Sequence, residues 1–368
     1  LSVPSVLIVS LSARALAQAA RGGGYAVHTI DLFGDADTRA ASVSAQVVAA
    51  AGEGFERDEL LAAARGVIAT HRPGLIVCGS GFESRPELLE DLARLAPLRG
   101  NTAQTVRAVT QPSSLFPALL QQRIDFPQTV TGGAVPDDGW LEKQIGGCGG
   151  GHVRPARGGR MIAAQHYAQR HVAGVSMSAV FIADGGQGAE LLGTSRHWCA
   201  QPGLLTPYQH SGLVTEALDK TLARLLSEWV SRLTRTFALR GLCGFDFVLE
   251  QTGRPLLVDV NPRPPASFEL FETVPPSLFA AHVESCNGGL CGPGPVSGAR
   301  AQAVYYASDA TPIRASFDWP EWVADIPVPG TRIAAGRPLC TIRGNGASAP
   351  QAVELVRARC RELAALLR

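Results

Sequence analysis

The chain has 368 residues, enough for roughly two or three domains, and its 33 Lys plus Arg against 32 Asp plus Glu leave a formal net charge of +1, which gives nucleic acid or anionic lipid no general electrostatic grip. No run approaches the ~20 apolar residues that span a bilayer, and the start at Leu1 lacks the basic, apolar and small-residue succession of a secretory signal, so the expectation is a cytoplasmic protein with neither nucleic-acid nor membrane partners. Eight cysteines without CxxC or Cys/His ligand spacing argue for reduced thiols over a zinc site or a disulfide framework, although Cys286 and Cys291 stand near enough to pair if oxidised.

In chain order, residues 6–10 read as a strand, 13–20 as a helix and 25–31 as a second strand. Residues 44–51 and 59–69 read as helices, 74–78 as a strand, and 86–95 as an amphipathic helix. This alternation predicts a parallel sheet with its functional loops at the carboxyl ends of the strands. The first strand leads into Ser10, Ser12 and Arg14 and not into a GxGxxG turn, so a dinucleotide-binding oxidoreductase lacks its main support. A boundary falls near residue 105, after which prolines break the chain into short pieces. Residues 140–145 then read as a strand, 146–151 as a glycine-rich turn, 163–172 as a strand or hinge, and 176–184 as a strand. The longest helical pattern covers 213–239. Residues 244–250 and 255–260 flank a turn and form a predicted hairpin. Beyond a Gly/Pro-rich connector at 288–298 come short strands at 301–306, 332–333 and 339–342 and a closing helix at 352–367.

The hairpin carries the sharpest chemistry. Strand alternation puts Asp246, Val248 and Glu250 on one face of its first strand and Asp259 and Asn261 on one face of its second. Paired strands would bring two carboxylates and one amide oxygen to one spot, a hard-oxygen set that suits magnesium. Acidic residues on otherwise apolar strands are costly to bury without such a cation. Upstream, Lys143 is one of two lysines in the chain and stands on an apolar strand just before five glycines, at 146, 147, 149, 150 and 151. A lysine so placed can reach phosphate oxygens while bare backbone amides approach the same anion.

In this order and spacing the motifs resemble those of the ATP-grasp superfamily, such as D-alanine:D-alanine ligase and biotin carboxylase, and the resemblance covers most of the chain. It implies an α/β protein, α+β in the ATP-binding part, with the ATP-grasp fold: a Rossmann-like preATP-grasp domain at 1–105, a small flap subdomain at 106–175, a central domain with the magnesium site at 176–290, and a carboxy-terminal extension at 291–368. It further implies a carboxylate-amine ligase that uses ATP and Mg2+, for which Mn2+ can substitute, on small-molecule carboxylate and amine substrates. Asp246, Asp259 and Asn261 would be the metal ligands and Arg263 and Lys143 the catalytic residues. Lys143, Gly147, Gly149, Gly150, Gly151, Gln169, Arg170, Val172 and Ser176 would hold the nucleotide, and Ser12, Arg14, Ser80, Glu83 and Arg263 the substrate.

The family usually has Glu where Asp259 stands, acids where Gln169 and Ser176 stand, and a further phosphate lysine near Arg107. The general pattern resembles most the tyramine:L-glutamate ligase branch of methanofuran biosynthesis and its methylofuran counterparts, which act on tyramine or tyrosine and glutamate; residues 319–340 resemble the carboxy-terminal part of biotin carboxylase-like enzymes. The alternatives are a bicarbonate-using carboxylase or carbamoyl-type enzyme of the same fold and an inactive ATP-binding paralogue. A homodimer is compatible with any of them.

Overall fold

The computed structural model describes residues 3–186, 188–198, 208–273, 277–290, 292 and 297–368. Cys199, Cys291 and residues 293–296 of the connector lie outside the described residues, and the six described cysteines are free. No described helix is long and apolar enough to cross a membrane.

The amino-terminal sheet is parallel throughout, in the order Ser44–Val47, Ala26–Asp31, Ser5–Val9, Leu75–Cys78, Leu98–Arg99. Alternation along its central strand sorts the core. Val6 and Ile8 pack with the helix Arg14–Gly22, whereas Leu7 and Val9 pack with the helices Arg57–His71 and Glu87–Ala93. The predicted helix over 44–51 is not formed. Its first half is the edge strand, paired with His28 through Asp31, and Ala50–Ala51 begins a short hairpin, because a free sheet edge outcompetes a weakly amphipathic Ala/Val run.

A second, antiparallel sheet of eight strands holds the rest together, in the order Pro255–Asn261, Arg240–Leu249, Val175–Asp184, Ala189–Trp198, Gly212–Thr215, Ala299–Tyr306, Pro338–Gly346, Val323–Ala324. The last three strands come from the carboxy-terminal region, which therefore continues the central sheet. The long helix starts later than its pattern suggested, at Lys220–Phe237. Asp219 caps it by accepting from Thr221 N and Leu222 N, and residues 212–215 are recruited as a strand. Leu222, Leu226, Trp229 and Leu233 of this helix cover Ala179, Phe181, Phe245 and Phe247 on one face of the sheet. On the opposite face Val180, Ile182 and Leu242 join the core of the amino-terminal helix Arg14–Gly22. A third small sheet, Arg154–Ala156, Trp140–Gln144, His166–Arg170 and Thr129–Val130, carries the lysine strand.

Two polar joints fix the amino-terminal domain. Asn101 donates to Arg240 O and Pro262 O (3.1 and 3.0 Å) and accepts from Arg240 N (2.9 Å), pinning that domain to the hairpin of Arg240–Leu249 and Pro255–Asn261. Arg14, almost wholly buried, pairs with Glu269 and Asp325 and so clasps three segments distant in sequence. Asp31, Asp35 and Asp37 crowd the same place. Burial first, then Asp325, Asp31 and Asp37, push the Asp35 carboxyl up to about 8 against the opposing pull of Arg14.

Between the unfolded carboxyl value of about 4 and that raised value, the folded chain holds a proton the unfolded chain lacks, so stability falls as pH rises through this window. Asp35→Asn removes this titration. Urea midpoints taken at pH 5 and pH 8 are expected to show a smaller alkaline loss in the variant than in the parent.

Candidate active site

The acid-bearing hairpin forms as the alternation required, with one irregularity. Gly244 pairs with Asn261 and Asp246 with Asp259, but the next pair is Phe247 with Leu257, so Val258 is an extra residue in the register. This bulge lets Leu257 point into the core under the long helix while Asp259, two residues on, faces the other way beside Asp246. Asn261 Nδ2 donates to Asp246 Oδ2 (3.2 Å), and Asn261 Oδ1 accepts from Arg263 Nη2 (3.2 Å). Asp246, Asp259, Asn261 and Arg263 therefore share one side of the hairpin.

Lys143 faces this group from the small sheet. Its Nζ donates to Gln169 Oε1 (2.6 Å), which fixes the ammonium without neutralising it. Burial lowers the Lys143 ammonium from its ordinary value, and the nearby Asp259 and Asp246 partly restore it. Burial and then Asp246 push Asp259 up to about 7, with Lys143 opposing. With Arg263 paired to Glu83, the carboxylates of Asp246 and Asp259 have one ammonium left in reach and form a site short of positive charge. Among the described residues no three His, Cys, Asp or Glu side chains are grouped so that they alone could hold a metal ion. A divalent cation here would thus take Asp246, Asp259 and the second lone pair of the Asn261 amide oxygen, leaving its other positions to phosphate and water. The donor set fits magnesium on that basis.

The glycine-rich turn is folded against both neighbouring domains. Gly146 has φ +70 and a Cβ there would meet Glu83 O at 2.5 Å; Gly150 has φ +75 and a Cβ there would lie 1.9 Å from Tyr208 O. Gly149 O accepts from His210 N (2.9 Å), a Gly147 Cβ would strike the His152 ring, and Gly151 is in open space. Gly150→Ala should therefore unseat the turn. A loss of about 10²-fold in kcat/KM for ATP is expected, the scale of an ångström-sized misplacement, with little change in thermal midpoint.

The hinge positions lie at the end of the strand His166–Arg170. Gln169 is buried against Lys143, whereas the Arg170 side chain packs over Trp140 and pairs with Asp137, and its N–H donates to Gln128 O (2.8 Å). Val172 is half-buried and Ser176 exposed where the chain enters the central sheet. Arg107 pairs with Glu90 at the surface. Of the four amino-terminal positions singled out, Glu83 is, among the described residues, the one whose side chain touches the hairpin. It pairs with Arg263 and also accepts from Gly81 N and Phe82 N (both 3.0 Å). Burial alone would raise Glu83, but Arg263 outweighs it and holds the carboxyl below its ordinary range. Ser80 sits against Ser10, Ser12 donates to Asp325, and Arg14 is committed to its ion pairs.

Sequence reasoning missed Ser178 and His197. Ser178 Oγ donates to Asp246 Oδ1 in a short contact, and His197 Nε2 lies 2.5 Å from Ser178 Oγ.

A lysine strand and glycine turn facing a carboxylate hairpin, beside a parallel amino-terminal domain, define the ATP-grasp fold. A family model described as an ATP-grasp domain matches residues 113–267, and that segment is an ATP-grasp domain. Solved structures agree over nearly the whole chain. The biotin carboxylase domain of Hydrogenobacter thermophilus 2-oxoglutarate carboxylase, a dimer in complex with magnesium ADP and bicarbonate, superposes with a TM-score of 0.73 at 10% identity, covering 97% of this chain and 89% of that one. Biotin carboxylase from Campylobacter jejuni gives 0.71 at 12%, covering 96% and 90%. N5-carboxyaminoimidazole synthetase from Staphylococcus aureus gives 0.68 at 12%, covering 97% of each chain. No curated protein matches the sequence.

Proposed function

We propose that the protein is an ATP- and Mg2+-dependent carboxylate-amine ligase that forms an amide through an acyl phosphate, releasing ADP and phosphate. The observation that carries this reading is the meeting of Asp246, Asp259 and Asn261 with Arg263 on one side of a hairpin that lies within electrostatic reach of half-buried Lys143. Magnesium held by the three oxygen ligands would screen the triphosphate charge. Lys143 and the backbone amides of the glycine turn hold the phosphates, and the seated turn keeps water from the γ-phosphorus.

A carboxylate oxygen of the substrate attacks that phosphorus and the bond to ADP breaks. Arg263 neutralises the oxygens of the acyl phosphate so formed, a role suited to its planar donor fork. The amine nitrogen then attacks the acyl carbon, phosphate leaves, and the amine proton passes to solvent. Positioning and charge neutralisation carry most of this sequence, so no histidine base is needed.

Amino-acid-like substrates are favoured by the Arg263–Glu83 pair, which sets a carboxylate-binding group beside an ammonium-binding one. Glutamate with tyramine or tyrosine is the first pair to examine, on the overall likeness of the sequence to ligases of that branch. The second reading, a bicarbonate-using enzyme, is supported by the fold shared with a domain solved with bicarbonate bound.

ADP release, screened over amino acids crossed with aromatic amines and separately with bicarbonate, tests both. A ligase gives ADP only with a matched carboxylate and amine. Bicarbonate-dependent turnover without a second carboxylate selects the other enzyme, and nucleotide binding with no turnover in any mixture identifies an inactive paralogue.

A further inference from the structure

Asp246 is held at both oxygens. Asn261 takes Oδ2 from within the hairpin, and Oδ1 is the terminus of a polar chain that crosses the sheet. Ser178 stands directly opposite Asp246 on the neighbouring strand and is 6% exposed, so its hydroxyl is largely shielded from solvent. Having donated its one proton to Asp246, Ser178 Oγ has only lone pairs to offer His197, which must therefore present Nε2–H across their 2.5 Å contact. His197 in turn meets the edge of the His210 ring at 5.9 Å and 86°.

The residue that ends the chain is itself anchored on both sides. His210 N donates to Gly149 O in the glycine turn (2.9 Å), and Tyr306 Oη donates to His210 O (2.8 Å). The backbone that receives the turn is thus the backbone that carries the ring packed on His197.

We propose that Ser178 and His197 are positioning residues that set the orientation of the Asp246 carboxylate for the divalent cation, with the ring of His210 holding His197 in place beneath the glycine turn. A carboxylate that rotates freely about its last torsion spends part of its time aimed away from the cation. A donor fixed on one oxygen leaves the outer lone pairs of both oxygens directed at the site, and outer partners of this kind typically contribute about 10- to 100-fold to metal affinity. The inference rests on the metal assignment of the preceding subsection and adds two residues that act through Asp246.

The test is Mn2+ affinity in the presence of a non-hydrolysable ATP analogue, read from the free-Mn2+ electron paramagnetic resonance signal of the full-length protein, alongside nucleotide affinity in EDTA. Ser178→Ala and His197→Ala are expected to weaken Mn2+ binding about tenfold or more. Ser178→Thr, which keeps the hydroxyl, and His197→Gln, which keeps an N–H donor, are expected to retain most of it, and all four should bind nucleotide in EDTA like the parent.

Parent-like Mn2+ affinity in both alanine variants would overturn the proposal, as would equal losses in the alanine and conservative variants, since that pattern marks packing. Asp259→Ala separates the two layers of inference. If the parent binds Mn2+ and Asp259→Ala does not, the metal site stands whatever Ser178 and His197 do; if the parent fails to bind Mn2+, or Asp259→Ala binds as well as the parent, the metal assignment and this proposal fall together.

Discussion

Asp259→Ala is expected to lower ATP turnover by about 10³-fold, because a metal ligand supplies several kcal/mol of charge stabilisation and each ~1.4 kcal/mol is tenfold in rate. Its effect on stability should run the other way. Asp259 is a half-buried carboxylate pushed up by desolvation and by Asp246, so removing it relieves a repulsion in the folded state. Asp259→Asn keeps the shape and loses the charge, and should also lose turnover while its thermal midpoint stays level or rises. That opposition distinguishes a functional ligand from a structural one, whose loss would depress both. Turnover in either variant within a few-fold of the parent would take Asp259 out of the mechanism.

Arg14→Leu is expected to cost about 3–5 kcal/mol of stability, the range for removing one partner of a buried ion pair and leaving the other uncompensated. Arg14 is the cation shared by Glu269 and Asp325, and it lies near Asp37 as well. Burial would raise Asp325, yet Arg14 holds it below its ordinary range, so its contribution is present at neutral pH and lost as pH falls through that depressed value. Without Arg14, several carboxylates face one another at the joint of three segments. Urea denaturation measures the loss, with Arg57→Ala as the comparison. The Arg57 side chain is 46% exposed in its pair with Asp91, and that substitution should stay within ~1 kcal/mol of the parent.

Much of this architecture can be read from residue patterns. The parallel domain follows from strand and helix alternation, and the hairpin from two apolar strands carrying acids at even spacing about a Thr252-Gly253 turn. Lys143 stands out because lysine is so rare in this chain. What escaped depends on partners far away in sequence. Residues 44–47 have no intrinsic preference strong enough to resist a sheet edge, and only the fold supplies that edge. The bulge at Val258 changes no residue type, yet it decides which way Asp259 points.

Ser178, His197 and Asp246 lie on three strands and are separated by 19 and 68 residues, so no local motif joins them. Gln169 stands where the family has a hinge acid, and its amide oxygen fixes Lys143 without neutralising its charge. Arg14, singled out at a strand end where ligands gather, is engaged by carboxylates from the central and carboxy-terminal regions that composition could not place beside it.

The most direct measurement is a crystal structure of the protein with magnesium and a non-hydrolysable ATP analogue. A cation at about 2.0–2.1 Å from oxygens of Asp246, Asp259 and Asn261, bridging to phosphates that also meet Lys143, is the expected result. A nucleotide bound elsewhere, or one whose phosphates and cation lie away from those three residues, would contradict it.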